Sequence, residues 1–111
     1  MARSDRLGEL EAVVLASVVR AGADVTGVRV YEEIERQVGR APSVSGVHVT
    51  LRRLETKGLL TSTVGPRSPR GGKPQRFYRL TPEGAHALAD FREMWERLWN
   101  GLTVPSPESL R

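Results

Sequence analysis

The side chains with most chemistry to offer are arginines and lysines, and they are gathered in one stretch. Between positions 41 and 82 stand Arg52, Arg53, Lys57, Arg67, Arg70, Lys73, Arg76 and Arg79 against one acid, Glu55. That stretch carries +7, whereas the rest of the 111-residue chain sums to −3. A segregated positive potential is aimed at a polyanion, and guanidinium and ammonium groups suit phosphate. A solvated arginine-rich loop is the plainer alternative. An acidic membrane surface fits less well, because the stretch is no basic amphipathic helix.

Other chemistries lack their residues. The chain has no cysteine and two histidines, His48 and His86, so neither a disulfide framework nor a structural zinc site can be assembled. No nucleophile–base pair, convergent carboxylates or metal-ligand cluster stands out, so no catalytic residue, metal or cofactor is expected. Gly72-Lys73 looks like the end of a phosphate-binding loop, but Arg67 and Pro74 occupy positions that such a loop needs otherwise. His86 is expected at the surface or an interface. No apolar run reaches about 18 residues and no signal-peptide core is visible, so a soluble, cytoplasmic protein without a membrane partner is expected.

The elements that must position the basic residues are short. Leu7, Leu10, Val14 and Val18 recur at helical spacing, with Val13 and Ser17 on the next stripe, and predict a helix over 7–21. Thr26 is a candidate N-cap for a second helix, with Val30, Ile34 and Val38 inward, Gly39 at its end, and Glu32, Glu33, Glu35 and Arg36 toward water. After a turn at Arg40-Ala41-Pro42, Ser43 caps a third helix reaching Lys57, with Val44, Val47, Leu51 and Leu54 apolar and Gly58 closing it. Two short helices joined by a tight turn, the second flanked by basic residues, match a helix-turn-helix.

Next come strand-like Leu59 to Val64, a tip rich in proline and glycine, and a second strand Arg76-Phe77-Tyr78-Arg79-Leu80, with Tyr78 and Leu80 on one face. A hairpin with a basic tip directly after a candidate recognition helix is a wing. Thr81-Pro82-Glu83 then starts a helix running to Asn100-Gly101. Along it Leu88, Phe91, Trp95, Leu98 and Leu102 step by three and four, as in a coiled-coil seam.

The ordered set resembles the PadR family of transcriptional regulators, in its short subgroup with one C-terminal helix. Its carriers are Leu7-Gly8-Glu9-Leu10-Glu11, the run Val47-His48-Val49-Thr50-Leu51-Arg52-Arg53-Leu54-Glu55 with Gly58-Leu59, Arg70-Gly71-Gly72-Lys73, and Tyr78-Arg79-Leu80-Thr81-Pro82-Glu83-Gly84. One position departs: the family usually carries tyrosine where this chain has His48, and an imidazole there can still donate to a phosphate. The resemblance implies a dimeric winged-helix repressor whose C-terminal helices pair, with small, often aromatic ligands bound by some members. Trp95 stands where ligand-binding relatives place an aromatic residue.

The expected architecture is therefore mainly α with a small β-hairpin. It divides into a winged helix-turn-helix over 1–81, a dimerisation helix over 82–102 and a disordered tail over 103–111. On the third helix, Ser45, Val49, Arg52 and Thr56 oppose the buried face, with Gly46 and Arg53 beside them. Ser45 and Val49 are the candidate base contacts, and Arg52 either reaches a guanine or clamps a phosphate. His48 and Arg53 join them, and Arg67, Arg70, Lys73 and Arg76 form the wing's grip on phosphate or minor groove. Leu88, Phe91, Trp95, Leu98 and Leu102 either pair with a second copy or pack on the first helix. Trp95 is also the candidate wall of a slot for a flat aromatic effector. Double-stranded DNA, a second copy of the chain and such an effector are the expected partners. A winged helix that docks on protein and never touches DNA is the alternative.

Overall fold

A computed structural model describes residues 7–66 and 72–111. Helices α1 (Glu9–Ala21), α2 (Gly27–Val38) and α3 (Val44–Thr56) come first, then strands β1 (Leu60–Val64) and β2 (Arg76–Leu80), and then α4 (Pro82–Trp99). One turn of 3-10 helix, Pro107–Leu110, lies on the exposed tail. This is the element order of a winged helix-turn-helix with an added C-terminal helix, as the sequence predicts.

Local signals start the helices where the sequence puts them. The hydroxyls of Thr26, Ser43 and Thr81 accept from the backbone N–H groups of Arg29, Gly46 and Gly84 at 3.2, 3.0 and 2.9 Å. Each satisfies a donor that a helix start leaves without a partner. At α1 the task falls to Glu11, whose carboxylate accepts from the Gly8 N–H at 3.0 Å.

Helices α1, α2 and α3 close over one core. Val14, Leu15 and Val18, Val30 and Ile34, and Val47, Leu51 and Leu54 contribute side chains sealed from solvent. The buried arc of α1 is broader than the expected stripe, because α2, α3 and α4 all touch it. It therefore takes in Leu15, which the stripe omits, and leaves Leu10 at the exposed edge. Val38, expected inward, is 57% exposed at the last turn of α2, where none of the described elements covers it.

Glu33 also departs from expectation. Rather than facing water it is 2% exposed, and its carboxylate accepts from Arg36 at 2.9 Å and Gln37 at 3.0 Å, with Arg29 at 3.2 Å. Buried charge persists only where it is paired and hydrogen-bonded, and this one is. Glu11 is its counterpart: Lys57 Nζ donates to both carboxylate oxygens, at 2.9 and 2.8 Å, tying the start of α1 to the end of α3.

Burial pushes both carboxyls up, but hydrogen bonds and cations outweigh it and hold them below the ordinary range: Gly8, Lys57 and Arg53 for Glu11, Gln37, Arg36 and Arg29 for Glu33. A carboxyl more acidic folded than unfolded adds stability above its unfolded pKa and loses it as pH falls through the folded one. The urea midpoint should therefore drop between about pH 5 and pH 3, and Glu11→Gln should flatten part of that drop. A midpoint indifferent to pH across that window would contradict both ion pairs.

The wing is an antiparallel hairpin with Leu60 opposite Leu80, Ser62 opposite Tyr78 and Val64 opposite Arg76. Its outer edge is paired as well: Val25 and Tyr78 exchange N–H···O bonds of 3.1 and 2.8 Å, tying β2 to the loop between α1 and α2. Tyr78 is buried beneath the hairpin and Leu80 is half-buried on the same face, as alternation requires.

The root of α4 is fixed just as tightly. Thr81 donates its N–H to Leu59 O at 3.2 Å and its hydroxyl to Gly58 O at 2.7 Å. Gly84 is buried there, and a Cβ on it would lie 2.1 Å from Leu59 O and 2.8 Å from Leu80 Cδ1. A backbone oxygen cannot yield as a side chain can, so Gly84→Ala should cost about 1–3 kcal/mol or more despite better helix propensity. A thermal melt should record a fall of about 5–15 °C. An unchanged midpoint would mean that α4 is not seated as described.

Candidate nucleic-acid interface

The exposed side of α3, the start of α2 and the returning arm of the wing enclose a groove of about 550 Å³. Thr26, Gly27 and Val28 form one wall; Ser45, His48, Val49 and Arg52 form the floor. Lys73, Pro74, Gln75 and Arg76 form the wing side, with Tyr78 beneath. Among the described residues no carboxylate lines it. The groove thus concentrates positive potential between low-dielectric walls.

The third helix presents the face that its period predicts. Val47, Thr50, Leu51 and Leu54 point inward, so Ser45, His48, Val49, Arg52, Arg53 and Thr56 point out. Val49 is 55% exposed, and Val28 on the α2 wall of the same groove is 51% exposed. The Ser45 hydroxyl lies 3.1 Å from that of Ser43, which caps the helix. Among the described residues Arg52, Arg53 and Lys73 enter no ion pair.

Arg76 is braced from behind. Its guanidinium donates to Ser62 Oγ at 2.9 Å, and Ser62 donates to Glu55 at 2.7 Å, which fixes the arm of the wing against α3. Burial pushes the Tyr78 phenol above its usual pKa and Glu55 adds to the effect, so the phenol beneath the groove stays neutral.

The structure does not bring the whole basic stretch to this groove. Lys57 is engaged with Glu11 on the far side of α3, and Arg79 donates to both oxygens of Asp24 at 3.1 and 2.9 Å. Arg67 and Arg70 lie outside the described residues. What the sequence reading missed is the wall on α2, above all Gly27, against which the His48 ring lies. Thr26 signalled a helix start, but nothing in the sequence placed that start beside α3.

A second concave surface lies between α1 and α4, about 700 Å³ in volume and mostly apolar. Ala12, Val13, Ala16 and Val19 of α1 face Leu88, Phe91 and Trp95 of α4, with Glu9, Arg20 and Arg92 at its rim. The ring centroids of Phe91 and Trp95 are 6.0 Å apart, and Trp95 and Trp99 stack at 6.2 Å with 20° between planes. The expected stripe thus divides. Leu88 and Phe91 are half-buried toward α1, whereas Leu98 and Leu102 are 63% and 53% exposed. Among the described residues no group of three or more His, Asp or Glu is placed to hold a metal ion. Among the described residues no helix is long and apolar enough to cross a membrane.

Comparison with known proteins agrees with this geometry. The sequence profile of the transcriptional regulator PadR-like family matches residues 14–90. No curated protein sequence matches the chain. Among solved structures, a PadR family transcriptional regulator from Eggerthella lenta DSM 2243 is similar, with a TM-score of 0.66 at 24% identity over 81% of this chain and 77% of its own. F93 from STIV, described as a winged-helix DNA-binding protein, aligns with a TM-score of 0.62 at 17% identity over 78% of this chain and 87% of its own. Bordetella bronchiseptica BpsR, whose DNA binding is regulated by 6-hydroxynicotinic acid, aligns with a TM-score of 0.66 at 20% identity over 93% of this chain and 72% of its own.

Proposed function

The chain belongs to the PadR-like family of transcriptional regulators, and from that membership we propose that it acts as a homodimeric repressor on a pseudo-palindromic operator in double-stranded DNA. Members of this family are DNA-binding regulators, not enzymes. The observation that carries the proposal is the groove between α3 and the wing, basic and free of carboxylates among the described residues. In it Ser45 and Val49 are the candidate contacts to base edges, His48 a donor to phosphate, and Arg52 and Arg53 the contacts to base or phosphate. Lys73 and Arg76, together with Arg67 and Arg70, are the wing's contacts to the backbone.

Dimerisation through α4 is supported by the exposed Leu98, Trp99 and Leu102 at its outer end, and repression by the family resemblance. Two recognition helices related by a two-fold axis would read half-sites about one helical turn, roughly 34–36 Å, apart. The apolar groove beside Trp95 is the seat we propose for a small planar aromatic effector. The regulation of BpsR by 6-hydroxynicotinic acid is a parallel in a protein of similar fold.

The test is a gel-shift titration on DNA from immediately upstream of the chain's own coding sequence, repeated over a range of salt. Each phosphate contact contributes about 0.9 to the slope of log K against log salt, so five to eight contacts per dimer give a slope of roughly −5 to −7. A folded protein whose affinity stays flat across the titration, or that prefers no duplex over random DNA, would favour a protein-docking role instead.

A further inference from the structure

Among the described residues that line the DNA-facing groove His48 is the only histidine, the residue type whose charge an ordinary change of pH alters. It also packs against backbone on one side. A Cβ on Gly27 would fall 2.3 Å from His48 Cε1, 2.7 Å from Nδ1 and 3.0 Å from Nε2, so the ring lies against the bare backbone that opens α2. Only the missing side chain of Gly27 makes room for it, and the ring cannot swing toward α2.

The charged groups that line the groove around this ring all share one sign. Helix α3 offers Ser45 and Arg52, one turn to either side. The start of α2 offers Thr26 and Val28, neither charged, and the wing offers Lys73 and Arg76. Strand β2 contributes the Tyr78 phenol, which stays neutral. Without DNA, adding a proton to His48 places a further positive charge among three cations. With a phosphate backbone in the groove those cations are neutralised, and the same proton completes a charge-assisted N–H···O⁻ contact. A protonated imidazole has two N–H donors where the neutral ring has one.

We propose that His48 makes DNA binding proton-linked, so that operator affinity rises as pH falls through the range in which histidine titrates. The proposal rests on the DNA-binding reading and specifies how that site is regulated. By linkage, whatever favours the proton favours the complex by the same factor. If the two sites of a dimer together take up about half a proton to one proton on binding, affinity gains roughly 10- to 100-fold between about pH 8 and pH 6.

The experiment is a fluorescence-anisotropy titration at fixed ionic strength across that pH range, with a pH-insensitive dye on the upstream duplex and on a random duplex. The wild type should bind more tightly at low pH, and His48→Gln and His48→Tyr, both folded by circular dichroism, should give flat profiles. His86 remains in both variants and serves as the control. A wild-type profile that is flat while duplex is still bound overturns the proton linkage and leaves the DNA-binding reading intact. A slope that survives in His48→Gln overturns it as well. Failure of the wild type to bind either duplex at any pH sinks both. Should the variants unfold, the wild-type His48 Cε1–H resonance followed by NMR replaces them, and an imidazole titration unmoved by DNA refutes the proposal.

Discussion

Trp95→Asp combined with Leu98→Asp should convert the protein to a monomer and weaken binding to the intact operator by at least about 100-fold. Both side chains stand on the outer half of α4, at 37% and 63% exposure, beside the rings of Phe91 and Trp99. A seam made of such groups cannot take a desolvated carboxylate without a partner. The protomer itself should be indifferent, because neither residue belongs to its core. The effect on DNA follows from tethering: once one half-site is held, the second is met at an effective concentration that a free monomer lacks. Sedimentation velocity gives the mass and a gel shift the affinity. A variant that stays dimeric at micromolar concentration would place the seam elsewhere.

Arg52→Ala should bring the second large loss, and its pattern separates two roles. A guanidinium bidentate to guanine is worth about 1–3 kcal/mol of discrimination, so two half-sites give roughly a 100-fold loss on the operator and little on random duplex. A phosphate clamp would instead weaken both duplexes equally. The Lys73→Ala/Arg76→Ala pair should behave in that second way, flattening the salt slope by about 3–4 per dimer. If Arg52→Ala leaves both affinities unchanged, the outer face of α3 is not the reader.

The main elements were legible because each carries its own local signature. Thr26, Ser43 and Thr81 mark three helix starts by the hydroxyl that a first turn needs. The alternation at Tyr78 and Leu80 marks the wing. What escaped the sequence is which side chains the packed fold buries and which distant partners it brings together. Glu33 reads as a surface acid until Arg29, Arg36 and Gln37 close around it. Glu11 meets Lys57 across 46 positions. The same contact removes Lys57 from the charge of the α3–wing groove, and Asp24 likewise engages Arg79, so counting charges along the sequence overstates the groove. Gly27 was silent for another reason: its role is an absence of atoms, and that has meaning only beside His48.

The seating of Gly84 against Leu59 O has a mechanical consequence. An 18-residue helix rising about 1.5 Å per residue is a rod roughly 27 Å long. A tilt of about 5° where it is anchored moves its tip by roughly 2 Å, a large fraction of the rise of one base pair, about 3.4 Å. In a dimer closed through α4 the angle at that joint sets the separation of the two recognition helices. The operator spacing the protein accepts is then gauged by a glycine that DNA never reaches.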